Sequence, residues 1–287
     1  MKNCFFSLPQ YNFILSHRYL CLIMDFVGKT FWITGASSGM GKSTAIEISK
    51  SKARLIISDR DVSGLTDTAR QIEKNGSTVR IEPLDMSANT SIVETIVRVL
   101  GDGEKVDGLY QFAGISQRSL VVETPIENVR RIMEINYFGV VTMATGLLPH
   151  MIENGGGQLA GTSSIVGKFG FPYRSAYSSS KHAIHGFFES LLAENVKNNI
   201  RVSVIIPGRV QTNISKFALN KDGKEHGQID PGQANGITSE KAARIICAGL
   251  KREKREILVG GKELLMVHIR RFLPSLYYRM ASRIAPM

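Results

Sequence analysis

Seven short apolar runs, each the length of a β-strand, alternate with helical patterns along the sequence from Lys29 onward. The runs are Thr30-Phe31-Trp32-Ile33-Thr34, then 54–58, 79–84, 106–112, 158–164, 201–206 and 256–259. Runs that are apolar on both faces are typical of strands buried within a parallel sheet. The helical patterns cover 42–50, 65–75, 91–100, 126–151, 175–197 and 239–250. This alternation predicts an α/β fold with a doubly wound parallel sheet, whose ligand binds at the carboxyl ends of the strands.

The length and composition are those of one globular domain. The chain has 287 residues, of which 43% are hydrophobic and 21% charged, and this excludes wholesale disorder. No internal repeat and no linker interrupts the pattern. We therefore predict a single domain over 25–261, with an extension over 1–24 before it and a C-terminal segment over 262–287 after it.

The cysteines and the N-terminal stretch bear on the compartment. Cys4, Cys21 and Cys247 are too far apart to form a CxxC pair, which excludes a cysteine-based zinc site and suits a reducing compartment. No apolar run reaches the roughly 18 residues that a membrane-spanning helix needs, and 1–24 makes a poor signal peptide. We predict a cytoplasmic protein.

Positive charge is concentrated near the C-terminus. The chain carries 36 Lys and Arg against 25 Asp and Glu, and residues 251–287 alone hold nine basic and three acidic residues. A nucleic-acid-binding protein would spread such charge over one face, so no nucleic-acid partner is predicted. Within 262–287 the apolar and basic residues form an amphipathic pattern that Pro274 interrupts. This pattern predicts either peripheral contact with an anionic membrane or a helix packed on the substrate mouth or on a partner subunit.

A glycine-rich loop follows the first predicted strand and opens a helix. It reads Thr34-Gly35-Ala36-Ser37-Ser38-Gly39-Met40-Gly41. Glycines permit a tight turn and close backbone approach to a pyrophosphate, which the free N–H groups of a helix N-terminus attract. The glycine spacing is one residue too long for the P-loop of an NTPase. We therefore predict a dinucleotide site that Gly35, Ser37, Ser38, Gly39 and Met40 contact.

Two neighbouring residues of opposite charge bear on the choice of cofactor. Asp59 ends the second strand, where a carboxylate accepts hydrogen bonds from the adenosine ribose hydroxyls and repels a 2′-phosphate. Arg60 follows it and would attract that phosphate. We predict that both residues contact the cofactor and that NAD is preferred over NADP.

Four polar residues are candidates for catalysis. Tyr177 and Lys181 share one face at the start of a predicted helix. The reference pKa of a phenol is about 10, and a nearby ammonium stabilises the phenolate and brings this pKa towards the working pH. Ser164 ends a predicted strand, where its hydroxyl can hold a substrate oxygen beside the phenol. Asn136, an amide within an apolar helix, is either a satisfied core amide or the anchor of a proton-relay water.

These motifs, in their order and spacing, resemble the short-chain dehydrogenase/reductases over about 24–261. The resemblance rests on Thr34-Gly-x-x-x-Gly39-x-Gly41, Asn136, Ser164, Tyr177-x-x-x-Lys181 and Pro207-Gly208. It implies a Rossmann-type enzyme that transfers a hydride between NAD(P) and a secondary alcohol or ketone, without a metal. Tyr177 would be the catalytic acid/base, and Lys181 would lower the Tyr177 pKa and bind the nicotinamide ribose. Ser164 would orient the substrate, and Asn136 would shape the proton relay.

The same resemblance implies further cofactor contacts and an oligomer. The additional contacts are Asp85, Met86, Ala113, Gly114, Pro207, Gly208, Val210 and Thr212. In the family, pairs of long helices often join subunits. A homodimer or homotetramer is therefore expected from the apolar residues Ala183, Ile184, Phe187, Phe188, Leu191 and Leu192.

One motif departs from the family pattern, and the substrate is only broadly indicated. Where the family usually has Asn-Ala-Gly, this chain has Phe112-Ala113-Gly114, so we expect cofactor binding to persist and the bracing of the central strands to differ. An apolar pocket, suited to a lipid- or steroid-like substrate, is predicted from Phe169, Phe171, Tyr173, Phe217 and Leu219. One alternative function is that of a dinucleotide-binding regulatory protein, which the intact Ser/Tyr/Lys set disfavours. The other is that of a membrane-surface interaction protein acting through the basic tail, which would require neither Asp59 nor the glycine-rich loop.

Overall fold

The computed structural model describes residues 25–281 and Arg283, so the predicted extension over 1–24 lies outside the described residues. From the first strand to the last, the strands and α-helices are β1 (Thr30–Thr34), α1 (Gly39–Ser49), β2 (Arg54–Ser58), α2 (Val62–Lys74), β3 (Thr78–Ile81), α3 (Asn89–Gly101), β4 (Gly108–Gln111), β5 (Gln117–Arg118), α4 (Ile126–Met133), α5 (Gly139–Glu153), β6 (Gly157–Thr162), α6 (Ser175–Asn195), β7 (Ile200–Pro207), β8 (Leu219–Asn220), α7 (Pro231–Ala234), α8 (Ser239–Lys251) and β9 (Glu256–Val259). The chain then forms α9 (Leu265–Phe272) and α10 (Pro274–Ala281).

The main sheet confirms the predicted doubly wound architecture. Its strand order is β3-β2-β1-β4-β6-β7-β9, and every neighbouring pair is parallel. The order reverses between β1 and β4, because the chain leaves β1 for β2 on one side and returns to β4 on the other. Ligands of such sheets bind in the crevice at the carboxyl ends of the strands at this point.

Two apolar layers cover the faces of the sheet. On one face, Ile48 of α1, Leu65 of α2 and Ile246 of α8 pack on the strands. On the other face, Ile92 of α3, Leu147 of α5 and Phe188 of α6 do the same. Burial of both faces explains why the strands read as continuous apolar runs in the sequence.

The structure differs from the prediction in local details. The first helix begins at Gly39 rather than at residue 42, so Gly39 and Gly41 of the loop belong to its first turn. The long helix predicted over 126–151 is divided by a π-helical turn, Glu134–Phe138. β5 and β8 form a separate two-stranded parallel sheet, which the sequence did not predict because each strand has only two residues and carries no periodic pattern.

By length and composition, the helical stretch Ile126–Glu153 is apolar enough to cross a membrane. Met143, Ala144 and Leu147 are fully buried against the sheet. Their place in the core accounts for the apolar composition of this stretch.

The apolar residues on α6, from which we expected an oligomer, are not all available at the surface of the single chain. Ile184, Phe188 and Leu191 are buried in the core of the single chain. They are apolar because they pack on the sheet, and they give no support to an interface. Phe187 is only partly buried and makes an edge-to-face contact with Tyr137, with 6.5 Å between ring centroids.

Candidate active site

The glycine-rich loop brings three backbone segments into contact at the start of α1. A Cβ atom on Gly35 would lie 2.5 Å from the Ala113 nitrogen, and a Cβ on Gly41 would lie 2.1 Å from the Gly35 carbonyl oxygen. Gly35 and Gly39 also have positive φ angles, 72° and 54°. The N-cap residue Ser38 makes no side-chain hydrogen bond to the helix, so its side chain leaves the first N–H groups of α1 to an anion. This loop fits a dinucleotide pyrophosphate.

Asp59 is oriented by the loop. Its carboxylate accepts a hydrogen bond from the Ser37 hydroxyl over 2.8 Å and a longer one from the Ser37 backbone N–H over 3.4 Å. The side chain therefore stands beside the loop at the end of β2, as an adenosine-ribose acceptor must. Arg60 is exposed next to it and its charge acts on Asp85.

Asp85 and Met86, the cofactor contacts predicted after β3, differ in their exposure to solvent. Asp85 is exposed and accepts hydrogen bonds from the Ser87 N–H and hydroxyl, over 2.8 and 2.7 Å. Burial raises the pKa of Asp85, but these hydrogen bonds and the charge of Arg60 outweigh it and leave the pKa below its usual value. Met86 is buried, and its carbonyl oxygen would lie 2.1 Å from a Cβ on Gly139. The glycine therefore permits α5 to approach this turn.

The departure at the end of β4 has a structural counterpart. Gln111 is buried, and neither its side-chain oxygen nor its nitrogen has a hydrogen-bond partner among the described residues. Phe112 packs partly against the core beneath α1. The usual amide of the family motif is thus replaced by an aromatic ring, and the neighbouring buried amide does not brace the adjacent strands. Ala113 and Gly114 keep the close approach described above.

Tyr177, Ser164 and Lys181 meet at the carboxyl ends of β6 and β7. Ser164 follows β6, and its hydroxyl is 3.3 Å from the Pro207 carbonyl oxygen at the end of β7. Tyr177 and Lys181 lie on the first two turns of α6 and are both buried. The Lys181 ammonium donates a hydrogen bond to the Thr162 carbonyl oxygen over 2.8 Å and lies 5.7 Å from the centroid of the Tyr177 ring.

The charges that act on Tyr177 are not those we expected, since Lys181 was expected to lower the Tyr177 pKa. Burial raises the pKa of Tyr177, while a hydrogen bond with Ser164 and the charges of Arg118 and Arg174 act against the rise. Burial also lowers the pKa of Lys181 to about 8. The ammonium is directed at a carbonyl oxygen, and the charges that favour the phenolate come from the two arginines, which the sequence analysis did not identify.

Asn136 lies in the π-helical turn and its amide is satisfied by protein groups. Its side-chain nitrogen donates to the Ile115 carbonyl oxygen and to the Ser180 hydroxyl, over 2.9 and 3.0 Å. Its side-chain oxygen accepts from the Ile115 N–H over 2.8 Å. The side-chain amide is therefore satisfied by protein groups, and a role of Asn136 in a proton relay stays a prediction. The π-turn turns this side chain towards the backbone that follows β4, beside Gly114.

The segment after β7 closes the cofactor side of the site. A Cβ on Gly208 would lie 2.4 Å from a carboxylate oxygen of Glu263, which also accepts a hydrogen bond from the Arg209 N–H over 2.8 Å. Val210 is buried, and the Thr212 hydroxyl accepts a hydrogen bond from Gln233 over 3.0 Å. Thr212 also lies against the loop, 3.1 Å from where a Cβ on Gly39 would stand.

A cavity of about 480 Å³ joins these elements. Ser164, Tyr177 and Lys181 line one part of it, and its apolar wall includes Val166, Phe169, Phe171, Ile214 and Met266. Of the five residues predicted for the pocket, Phe169 and Phe171 line the cavity, whereas Tyr173, Phe217 and Leu219 are not among its lining residues.

The match to known proteins agrees with this geometry. The model of the short chain dehydrogenase family matches residues 29–223. Dehydrogenase/reductase SDR family member 7B of Mus musculus is 35% identical over 257 residues, which are 88% of this chain and 80% of that protein. Dehydrogenase/reductase SDR family protein 7-like of Drosophila melanogaster is 35% identical over 265 residues, with 89% and 80% covered. The chain belongs to the short-chain dehydrogenase/reductase family.

Solved structures of the short-chain dehydrogenase/reductase family share the fold. A member from Burkholderia phymatum, solved in complex with NAD, superposes with a TM-score of 0.77 at 21% identity and covers 92% of this chain and 98% of its own. An alcohol dehydrogenase from the archaeon Thermococcus sibiricus, complexed with 5-hydroxy-NADP, gives a TM-score of 0.70 at 25% identity, with 82% and 97% covered. These similarities confirm the predicted single Rossmann-type domain.

Several site residues of this short-chain dehydrogenase/reductase carried no sequence signal. Arg118 and Arg174 both form ion pairs with Asp230, which holds the loop after β7 against the body of the protein. Arg118 and Asp230 are far apart in the sequence, so only the fold brings them together. The C-terminal segment also contributes, because Glu263 and Met266 line the cavity.

The C-terminal helices have one packed and one exposed face. Tyr277 is buried, its hydroxyl donates to the Gly170 carbonyl oxygen, and its ring lies 5.2 Å from that of Phe169. The C-terminal segment thus packs beside the cavity, against Phe169 of its wall, and whether its other face contacts a membrane or a partner subunit stays a prediction. The other face exposes the large apolar side chains Leu265, Phe272, Leu273, Leu276 and Tyr278.

Proposed function

We propose that this chain is a nicotinamide-dependent oxidoreductase that transfers a hydride between the cofactor and a secondary alcohol or ketone of largely apolar structure. The observation that carries the proposal is the convergence of Tyr177, Ser164 and Lys181 on one cavity, directly beside the glycine-rich loop and Gly114. The cavity volume of about 480 Å³ and its apolar wall suit a bulky, largely apolar substrate.

Each side chain has a role that follows from its position. The bound nicotinamide would supply or accept the hydride. In the direction of carbonyl reduction, Tyr177 donates its phenolic proton to the substrate oxygen, and burial favours this neutral, proton-carrying form. Ser164 holds the same oxygen with its hydroxyl and thereby fixes the distance to the phenol. Oxidation of an alcohol reverses these steps.

Lys181 places a charge near the phenol, and Asn136 fixes the position of the neighbouring backbone. The Lys181 ammonium, anchored on the Thr162 carbonyl oxygen, stands below the phenol where a nicotinamide ribose would bind. Its pKa of about 8 lets it change charge near neutral pH, which suits a group that takes part in proton movement. Asn136 fixes the backbone of Ile115 and so the position of Gly114.

The preferred cofactor in this proposal is NAD rather than NADP. The support is Asp59, whose carboxylate is oriented by Ser37 next to the loop and would repel a 2′-phosphate. Arg60, exposed beside it, favours the opposite choice. Titration of the purified protein with NADH and NADPH, followed by nicotinamide fluorescence, decides between them.

The proposed activity is tested by a screen of apolar ketones and secondary alcohols, with NADH and NADPH consumption or formation recorded by absorbance. Tyr177→Phe is the matched variant, because it removes only the phenolic oxygen, and Tyr278→Phe, at an exposed position, is its control. We expect turnover to fall about 10²- to 10⁴-fold in Tyr177→Phe while cofactor binding is retained. Unchanged turnover in Tyr177→Phe would overturn the mechanism. Cofactor binding without turnover of any substrate would favour the regulatory alternative.

We further propose a cytoplasmic protein with peripheral contact to an anionic membrane. The exposed face of α9 and α10 combines Phe272 and Leu273 with the basic residues Arg270 and Arg271, the composition of an interfacial helix. Such contact would place the substrate mouth at a lipid surface. Sedimentation with vesicles of phosphatidylserine and phosphatidylcholine, against phosphatidylcholine alone, tests it. A double variant, Phe272→Ser with Leu273→Ser, should abolish sedimentation, and equal sedimentation of variant and wild type would contradict the proposal.

A homodimer or homotetramer remains part of the proposal. Its support is an aromatic cluster on the π-helical turn and α6, in which Phe138 is 47% exposed and makes an edge-to-face contact with Tyr137, which contacts Phe187. Light scattering after size-exclusion chromatography measures the mass. Phe138→Ser should shift it towards the monomer, and a monomeric wild-type protein would refute the expectation.

A further inference from the structure

Three side chains away from the cavity form a cluster with the donor set of a metal site. His185 and Glu189 are one helical turn apart on α6, and Glu256 begins β9. A ring nitrogen of His185 and one carboxylate oxygen from each glutamate all lie within 4.8 Å of one another. Histidine is buried here and both glutamates are exposed, so the cluster opens to solvent on its carboxylate side.

The hydrogen bonds of Ser163 determine which His185 nitrogen carries the proton. The Ser163 hydroxyl donates its hydrogen to the Lys181 carbonyl oxygen over 2.8 Å. With its hydrogen placed there, the hydroxyl accepts from Nε2 of His185, which lies 3.0 Å away, and in this tautomer Nδ1 keeps its lone pair. A histidine whose one nitrogen is held by a hydrogen bond and whose other nitrogen is a free acceptor is in the state that metal ligation requires.

The free nitrogen is an unexplained buried group. His185 is only 7% exposed, and Nδ1 has no hydrogen-bond partner in the described part of the chain. Burial, aided by the charge of Lys168, lowers the pKa of His185 to about 4. The imidazole is therefore neutral near pH 7, and one of its ring nitrogens lies within 4.8 Å of an oxygen of each glutamate. A cation held between these three atoms would be a partner for all of them.

One cation already touches the cluster. The Lys168 ammonium pairs with Glu256, in an ion pair whose side chains are 25% and 47% exposed. Ion pairs at the surface are weak, so a divalent ion can displace the ammonium. Because the Lys168 ammonium and a metal ion would compete for Glu256, a substitution of Lys168 tests whether a metal ion binds there.

We propose that His185, Glu189 and Glu256 form a binding site for a divalent transition metal, with Zn²⁺ as the best-fitting ion. One imidazole nitrogen and two carboxylate oxygens are ligands that Zn²⁺ accepts, with water in the remaining position. Ligand distances of about 2.0 to 2.2 Å require the glutamate oxygens to move closer, which their exposed side chains allow. The ion would connect α6 to β9. The sequence analysis predicted no metal; His185 and Glu189 share one helix, but Glu256 comes from a distant part of the chain.

The test is calorimetric titration of the full chain with ZnCl₂ after treatment with a chelator. We expect one saturable site in the wild type, at least tenfold weaker binding in Glu189→Gln, and a Zn²⁺-dependent rise in the unfolding temperature that this variant loses. Glu194→Gln, at an exposed position on the same helix, is the control and should bind as the wild type does. Lys168→Met should bind Zn²⁺ severalfold more tightly, because the competing ammonium is gone.

His185→Asn removes the nitrogen ligand and is expected to weaken binding at least as much. Because His185 is buried, the exposed Glu189→Gln variant carries the test if His185→Asn fails to fold. No saturable binding in the wild type, or equal binding in Glu189→Gln and Glu194→Gln, would overturn the proposal. Activity is not the readout, so the result is independent of the proposed oxidoreductase function.

Discussion

Lys181 Nζ donates a hydrogen bond to the carbonyl oxygen of Thr162, the last residue of β6, over 2.8 Å. This contact ties the second turn of α6 to the end of the sheet and places a buried charge beneath Tyr177. Because desolvation on burial lowers the pKa of Lys181, the folded protein holds this ammonium at a cost in stability.

That cost can be measured with Lys181→Met. The folded pKa of about 8 is below the unfolded value of 10.5, so between these values the unfolded chain binds a proton that the folded chain has released. The lysine's contribution to the unfolding free energy therefore rises with pH over this window, and its penalty is largest below pH 8. We expect Lys181→Met to be more stable than the wild type by about 1 to 3 kcal/mol at pH 7, on the scale of 1.36 kcal/mol per pKa unit. Chemical denaturation at pH 7 and pH 10 measures the difference, which should shrink at the higher pH. A constant difference would refute the assignment.

Asp59→Asn should change cofactor preference. The amide keeps the size of the side chain but removes the charge that repels a 2′-phosphate. We expect NADPH to bind about tenfold more tightly and the ratio of NADH to NADPH affinity to fall, on the scale of about 1.4 kcal/mol per factor of ten. Asp61→Asn is the control, because Asp61 caps α2 through the Gly64 N–H. An identical ratio in Asp59→Asn and the wild type would remove Asp59 from the selection.

Cys247 should resist alkylation in the folded protein. It is buried, and burial raises the pKa of its thiol to about 12, so almost no thiolate exists at pH 8. Treatment with iodoacetamide followed by peptide mass spectrometry should leave the Cys247 peptide unmodified in buffer and modified in guanidinium chloride. Labelling in buffer at the rate of an exposed thiol would contradict the observed packing of α8.

Tyr277→Ala should loosen the C-terminal helices. The substitution removes both the hydrogen bond to the Gly170 carbonyl oxygen and the ring contact with Phe169. Amide hydrogen exchange should become faster in α9 and α10, while the strands of the main sheet keep their protection. Tyr278→Ala, at a 60% exposed position, should leave exchange in both helices nearly unchanged. Equal effects of the two variants would argue against a specific role for Tyr277.

The parts of this protein that follow from local pattern were predictable, and those that depend on distant contacts were not. Burial of β1 on both faces made its run continuously apolar, and the spacing of Tyr177 and Lys181 on one helix face is a local property of α6. The state of Asn136 depends on a π-turn that the helical pattern does not reveal. Arg118 meets Asp230 only because β5 pairs with β8 and the loop after β7 folds back. The same applies to Glu263, which reaches the site from beyond the last strand.

The position of Met266 and Glu263 in the cavity wall has a consequence for how specificity is divided along the chain. In the proposed function, the reacting side chains stand on α6 and just after β6, whereas part of the cavity wall belongs to the C-terminal segment after β9. The proposed chemistry and the selection of its substrate would then be encoded in separable stretches of sequence. Exchange of residues 262–281 between relatives is a way to graft a new ligand preference, or sensitivity to a selective inhibitor, onto an unaltered reaction centre.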